Sequence, residues 1–189
     1  MTADHEYPTG LRLAIILLSL FLGTFLVAVD TTIVSVAIPK ISTQFHALNH
    51  IGWYGSAYLV TITAFQPAGG TIYKIFNAKI IYLSAIVIFE GAVVTPLNDI
   101  YAKLLLAGSA LCAAAPSSPV FILGRAVAGS DAALLIQGAI SVITHISTLE
   151  KRPLYIGLVV SSFGISASFS PVLGGALTTR VSWRWCFWM

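Results

Sequence analysis

The chain alternates long apolar runs with short polar interruptions. Leu13–Ile38 is the first run, and Trp53–Phe76 the second, after the polar stretch Lys40–His50. A third starts at Ala78 and reaches Val94, where Thr95-Pro96-Leu97-Asn98-Asp99 breaks it; Leu104–Ala115 then resumes the apolar character. Val120–Ile146 and Leu154–Leu177 are the fourth and fifth. A helix needs about 20 apolar residues to cross a hydrocarbon core of ~30 Å, so Leu104–Ala115 cannot span alone and is read with the third run. Irregular backbone cannot face lipid, so each full-length run is predicted to be helical. The pattern predicts an all-α membrane protein with five spans, at about 13–38, 53–76, 78–94 with 104–115, 120–146 and 154–177. Residues 1–10 are expected to be a cytoplasmic tail. The first run is far longer than a signal-peptide core and lacks a convincing cleavage site, so it reads as a retained span.

Composition excludes a soluble domain. With 57% hydrophobic residues, 9% charged residues and a mean hydropathy of +0.90, there is too little polar surface to enclose the apolar material in water. The lipid bilayer is the expected partner, and no nucleic acid is expected. With the amino terminus inside, the cytoplasmic face would carry Arg12, Lys74, Lys79, Lys151 and Arg152, and the opposite face Lys40, Lys103, Arg180 and Arg184. The positive-inside rule leans towards that orientation. Trp183, Arg184, Trp185 and Trp188 fit an aromatic belt at the far interface.

Chemistry-bearing residues are few, and Asp30 is the most informative. A carboxylate near the middle of a spanning helix costs roughly 2.5–3.5 kcal/mol on insertion scales, so it is expected to face a polar cavity or a partner charge. That points to a transport protein. His145 falls near the cytoplasmic end of the fourth span and reads as a solvated interfacial histidine. His46 and His50 lie four apart but lack a third ligand, so no metal site is expected. Cys112 and Cys186 suggest neither a zinc site nor a disulfide framework. No Gly-x-Ser-x-Gly elbow and no His-Glu-x-x-His pair occurs, so catalysis is not expected. Small residues cluster in the fifth span, at Gly164, Ser166, Ser168, Ser170, Pro171, Gly174 and Gly175. They fit either close helix packing or a bending helix at a moving interface.

Several segments together carry a family resemblance. Leu26-Val-Ala-Val-Asp30-Thr-Thr-Ile-Val-Ser-Val-Ala-Ile-Pro39 resembles the first-helix signature of the major facilitator superfamily, in its fourteen-span drug:proton antiporter branch. Leu123-Gly-Arg125-Ala-Val-Ala-Gly129 is similar to that superfamily's arginine motif. Ser170-Pro171-Val-Leu-Gly174-Gly175 resembles the antiporter motif, with Ser166 and Ser170 standing where glycines are usual. Glu150-Lys151-Arg152-Pro153 and Trp183-Arg184-Trp185-Cys186-Phe187 resemble segments of fungal toxin and multidrug efflux members. Two departures stand out. Gly70 is followed by Lys74 and Lys79 with no acid in the loop, and Asp131 occupies a position where glycine is typical.

The resemblance covers the chain except for about residues 91–107, a block that looks inserted. Joining Ala78–Glu90 to Gly108–Ala115 gives about 21 residues, one span's length. The expected fold is therefore five transmembrane helices of an incomplete N-terminal half-bundle, occupying residues 11–189, with the third helix interrupted by an insertion that would reflect a retained intron or gene-model error. The resemblance implies proton-coupled efflux of small amphipathic organic compounds by a plasma-membrane protein, with a proton gradient and no cofactor as the driving force. Asp30, Arg125 and Glu90 become the candidates for proton coupling in the cavity wall. Ser170, Pro171, Gly174 and Gly175 become the helix-bending motif. Because the superfamily needs two six-helix halves, the expectation is a truncated copy. The alternative is a non-transporting membrane fragment that associates with, or interferes with, a full-length pump.

Overall fold

The computed structural model describes residues 7–90, 108–180 and 182–187. These residues form α1 (Leu11–Phe45), α2 (Ile51–Ile75), α3 (Ala78–Glu90), α4 (Gly108–Ala114), α5 (Ser118–Ile146) and α6 (Arg152–Arg180). Single-turn 3₁₀ segments follow α1, at Leu48–His50, and α6, at Trp183–Phe187. Among the described residues three helices are long and apolar enough to cross a membrane, namely α1, α5 and α6 over Arg152–Thr179. The 25 residues of α2 have the length, but tyrosines, threonines and glycines dilute its apolar character.

The first helix outruns the expected boundary at Ile38. Lys40–Phe45, read from sequence as the start of a polar loop, is its last turn and a half. A left-handed His46, with φ 49°, ends it, the His46 N–H donating to the Thr43 carbonyl and the Ala47 N–H to the Ser42 carbonyl. Pro39, Pro67 and Pro171 all lie inside helices. Each lacks an N–H, so the carbonyl four residues earlier loses its usual donor and a local bend is favoured. Residues 91–107, the block expected to be inserted, lie outside the described residues.

Contacts fix the helix directions. Successive positions of α1 meet successive positions of α6, Thr24 against Ser162 and Thr32 against Ser166, so these two run parallel. Along α2 and α5, Tyr54 meets Ser118 and Tyr73 meets Leu134, which is again parallel. The α1–α5 crossing is antiparallel, and so are both α3 and α4 against α5. Tyr82 faces Gly138 and Gly108 faces Ala128. Thus α1, α3, α4 and α6 point one way and α2 and α5 the other.

The central helix is α5, which touches all the others. Its sequence explains this. Lipid is as apolar as leucine, so helices associate in it through packing and hydrogen bonds, and small residues permit close approach. Gly129 abuts Thr61 and the Tyr58 carbonyl of α2, while Gly124 abuts Cys112 of α4. Two apolar clusters result. One holds Leu20, Val27, Tyr73, Tyr82, Leu135 and Ile143. The other holds Ile33, Ile41, Tyr54, Phe121, Trp183 and Phe187. Trp183, read from sequence as part of an aromatic belt, packs inward. It is only 3% exposed, packed edge-on to Phe45, Phe121 and Phe187, and its indole N–H donates to Gln44.

Candidate functional site

Between the two apolar clusters lies a buried charge pair. Arg125 projects from the first half of α5 and Asp30 from the middle of α1, and Nη1 of Arg125 stands 2.8 Å from both carboxylate oxygens. Arg125 is 1% exposed and Asp30 9%. Tyr58 of α2 completes the site, its ring lying 4.0 Å from the guanidinium carbon. One guanidinium is therefore held from two sides, by a carboxylate and by an aromatic face, in surroundings where neither charge could stand alone. Arg125 Nε and the Tyr58 hydroxyl have no hydrogen-bond partner among the described residues.

Of the other candidates, Glu90 is the last residue of α3, and its side chain lies outside the described set. Asp131 is buried on α5, and its Oδ2 has no partner among the described residues. It sits six residues beyond Arg125, about 240° around the helix, so the two point to different neighbours. Along α6 the small residues divide into two sets. Ser162, Ser166, Ser170 and Gly174 face α1, where Thr24 accepts from Ser162 at 3.2 Å and Thr32 lies 3.1 Å from Ser166. Ser166 is in turn 3.1 Å from Ser170. A Cβ on Gly164 or Gly175 would instead meet nothing within 4 Å. The antiporter-like motif thus has a packed edge, Ser170 and Gly174, and an open one, Pro171 and Gly175.

The remaining sequence candidates occupy ordinary roles. His50 Nδ1 is 2.8 Å from Ser118 Oγ, which also lies 2.8 Å from the Tyr54 hydroxyl, tying α2 to the start of α5. His46 caps α1, and His145 is exposed at the end of α5. Among the described residues no group of histidine, cysteine and carboxylate side chains could hold a metal. Both cysteines are free and buried. Sequence reasoning missed Tyr58. The available signal was its one-turn spacing from Tyr54 on a helix that must pack beside the arginine-bearing one.

Alternating apolar helices with a charge pair sealed between them define a multi-pass helical membrane protein. Comparison with known proteins gives the family. The Major Facilitator Superfamily model matches residues 20–189, and the chain belongs to that superfamily. It is 46% identical over 187 residues to the MFS-type transporter phomT of Diaporthe leptostromiformis, covering 99% of this chain and 29% of that protein. It is 48% identical over 192 residues to the MFS-type efflux pump MFS1 of Arthroderma benhamiae, covering 100% and 33%. With the efflux pump aflT of Aspergillus parasiticus it shares 46% identity over 184 residues, covering 97% and 33%. The chain thus spans about a third of the length of these relatives. The family and these relatives are transporters, not enzymes, which agrees with the absence of catalytic motifs in the sequence.

Proposed function

We propose that this chain forms the N-terminal half-bundle of a proton-coupled exporter of small amphipathic organic compounds, resident in the plasma membrane. In this reading α3 and α4 are the two parts of one span, so that five spans precede the 3₁₀ segment at Trp183. Their 13 and 7 residues give about one bilayer crossing, and they pack one after the other along α5. The relatives named as efflux pumps support export as the direction of transport.

The observation that carries the proposal is the Asp30–Arg125 pair. An arginine cannot give up its proton inside a protein, whereas an aspartate readily takes one. Asp30, the more exposed partner, is the proton acceptor, and neutralising it releases Arg125 to Tyr58 and unpins α1 from α5. Breaking a buried ion pair costs about 3–5 kcal/mol. One proton moving through 100 mV supplies about 2.3 kcal/mol, and each pH unit about 1.4 kcal/mol more. The drive is of the right size to work such a latch, which would stay closed more than about 99% of the time without it.

The experiment joins this chain to the remaining length of a relative and measures pH-gradient-driven efflux of a fluorescent amphiphile from proteoliposomes. Asp30→Asn should abolish dependence on the gradient while leaving substrate binding in place. Undiminished gradient-driven efflux in that variant would refute the assignment.

A further inference from the structure

A cleft of about 1170 Å³ opens at the end of the bundle that carries the start of α1, the α2–α3 turn and the end of α5. Its walls are apolar and aromatic, with Leu20, Tyr73, Tyr82 and Ile140 among them, and Gln137 and Ser141 add hydrogen-bonding groups. Among the described residues that line it the basic ones are Lys74, Lys79 and His145, and none is a carboxylate. The lysines and the histidine are exposed. Arg12, Lys151 and Arg152 lie at the same end of the bundle, with Glu150 as the one acid there among the described residues. Ile75, Phe76, Ile80 and Leu149 are exposed at that level, at 60–76%, as expected of side chains immersed at a membrane surface.

The expected acid of the α2–α3 loop is missing, so neither lysine has a carboxylate in its own turn. Asn77 instead accepts the Lys79 backbone N–H at 3.0 Å and starts α3. An apolar cleft with a cationic rim at the interface suits an amphiphile whose charged end is negative, and basic pockets between spanning helices on the cytoplasmic side are suited to anionic lipid headgroups. We propose that this cleft binds the anionic headgroup of a phospholipid from the cytoplasmic leaflet, with Lys74 and Lys79 holding the phosphate and the tyrosine-lined wall receiving the upper part of an acyl chain. The site requires embedding in a bilayer but is independent of transport, and it is separate from the Asp30–Arg125 pair.

The test uses the full chain in nanodiscs and measures retention of fluorescent phosphatidylserine against phosphatidylcholine. A charge-assisted contact to a headgroup oxygen is worth about tenfold, so Lys74→Gln with Lys79→Gln should lower the preference for phosphatidylserine by more than about tenfold beyond the general attraction that every basic residue of this face contributes. Arg12→Gln with Lys151→Gln removes the same charge from the same face outside the cleft and measures that general attraction alone, so its loss should be smaller by at least about fivefold. Lys74→Arg with Lys79→Arg should retain the preference, which guards against a folding artefact. An equal loss in the control pair would reduce the effect to general surface attraction and overturn the proposal, as would no loss in the cleft pair. Displacement by inorganic phosphate without phosphatidylserine retention would identify a soluble anion instead. Loss of retention as the chain dimerises would assign the cleft to a second copy. Either outcome also overturns it.

Discussion

The buried pair makes its sharpest prediction in a double-mutant cycle built from Asp30→Asn and Arg125→Met. Asp30→Asn leaves a guanidinium that is 1% exposed without its counter-charge. The full cost of orphaning a buried charge is about 3–5 kcal/mol. The asparagine oxygen can still accept one charge-assisted hydrogen bond, worth about 1.5 kcal/mol, and the Tyr58 ring stays in place at 4.0 Å. The expected net loss is therefore about 2–3 kcal/mol. Arg125→Met leaves Asp30, the less deeply buried partner at 9% exposed, so this variant should lose less. The double variant removes both charges at nearly constant volume and should be no worse than the milder single change. The coupling energy is then about 2 kcal/mol, well above the error of reversible unfolding measured in bicelles. A coupling below about 0.5 kcal/mol, or Arg125→Met proving the more damaging change, would refute the view that carboxylate and guanidinium hold α1 against α5.

Other consequences follow from the same packing. Tyr58→Phe should leave stability unchanged, because the ring and not the hydroxyl meets Arg125, whereas Tyr58→Leu should cost about 1–2 kcal/mol in the same unfolding assay. Gly129→Ala should destabilise the α2–α5 contact by about 1–3 kcal/mol or prevent assembly, since its new methyl meets the Tyr58 backbone, while Gly175→Ala should be silent in thermal unfolding. Ser166→Ala should cost only about 0.6 kcal/mol, the usual worth of an interhelical hydrogen bond in lipid. Joining Glu90 directly to Gly108 should preserve helicity per residue and the thermal midpoint, because α3 and α4 each have their own packing against α5. A large loss of either would count against their forming one span.

Much of this fold was legible because a bilayer allows few choices. Apolar runs of sufficient length must be helical, and alternating direction follows from repeated crossing. Boundaries were less legible. Lys40–Phe45 reads as polar, yet it extends α1 because the helix continues past the apolar core to meet the end of α6, where Lys40 donates to the Thr178 carbonyl. Trp183 illustrates another limit. Tryptophan favours interfaces by composition, but which way it points depends on Phe121 and Phe45, more than 60 residues away along the chain. The serine-rich sixth helix could be recognised as a packing helix. Its division into a hydroxyl edge against α1 and an open edge at Gly164 and Gly175 required knowing the partner.

The choice among acids shows what separates a residue list from a site. Asp30, Glu90 and Asp131 all interrupt apolar runs, and each is costly enough in lipid to suggest function. Periodicity alone excludes Asp131 as the direct partner of Arg125, since six residues along a helix turn the side chain well away from it. Between helices no such rule exists, because the rotation of α1 relative to α5 is set by every contact along their length. Gly129 draws α5 against Tyr58 and Thr61 of α2, and that approach brings the tyrosine ring over Arg125. The Thr24–Ser162 and Thr32–Ser166 contacts fix α1 against α6 on either side of Asp30. The charge pair therefore depends on glycine and hydroxyl positions that carry no charge themselves. Loosening those contacts should weaken the pair without touching either partner, which makes packing residues on α1, α5 and α6 natural modulators of the proposed latch.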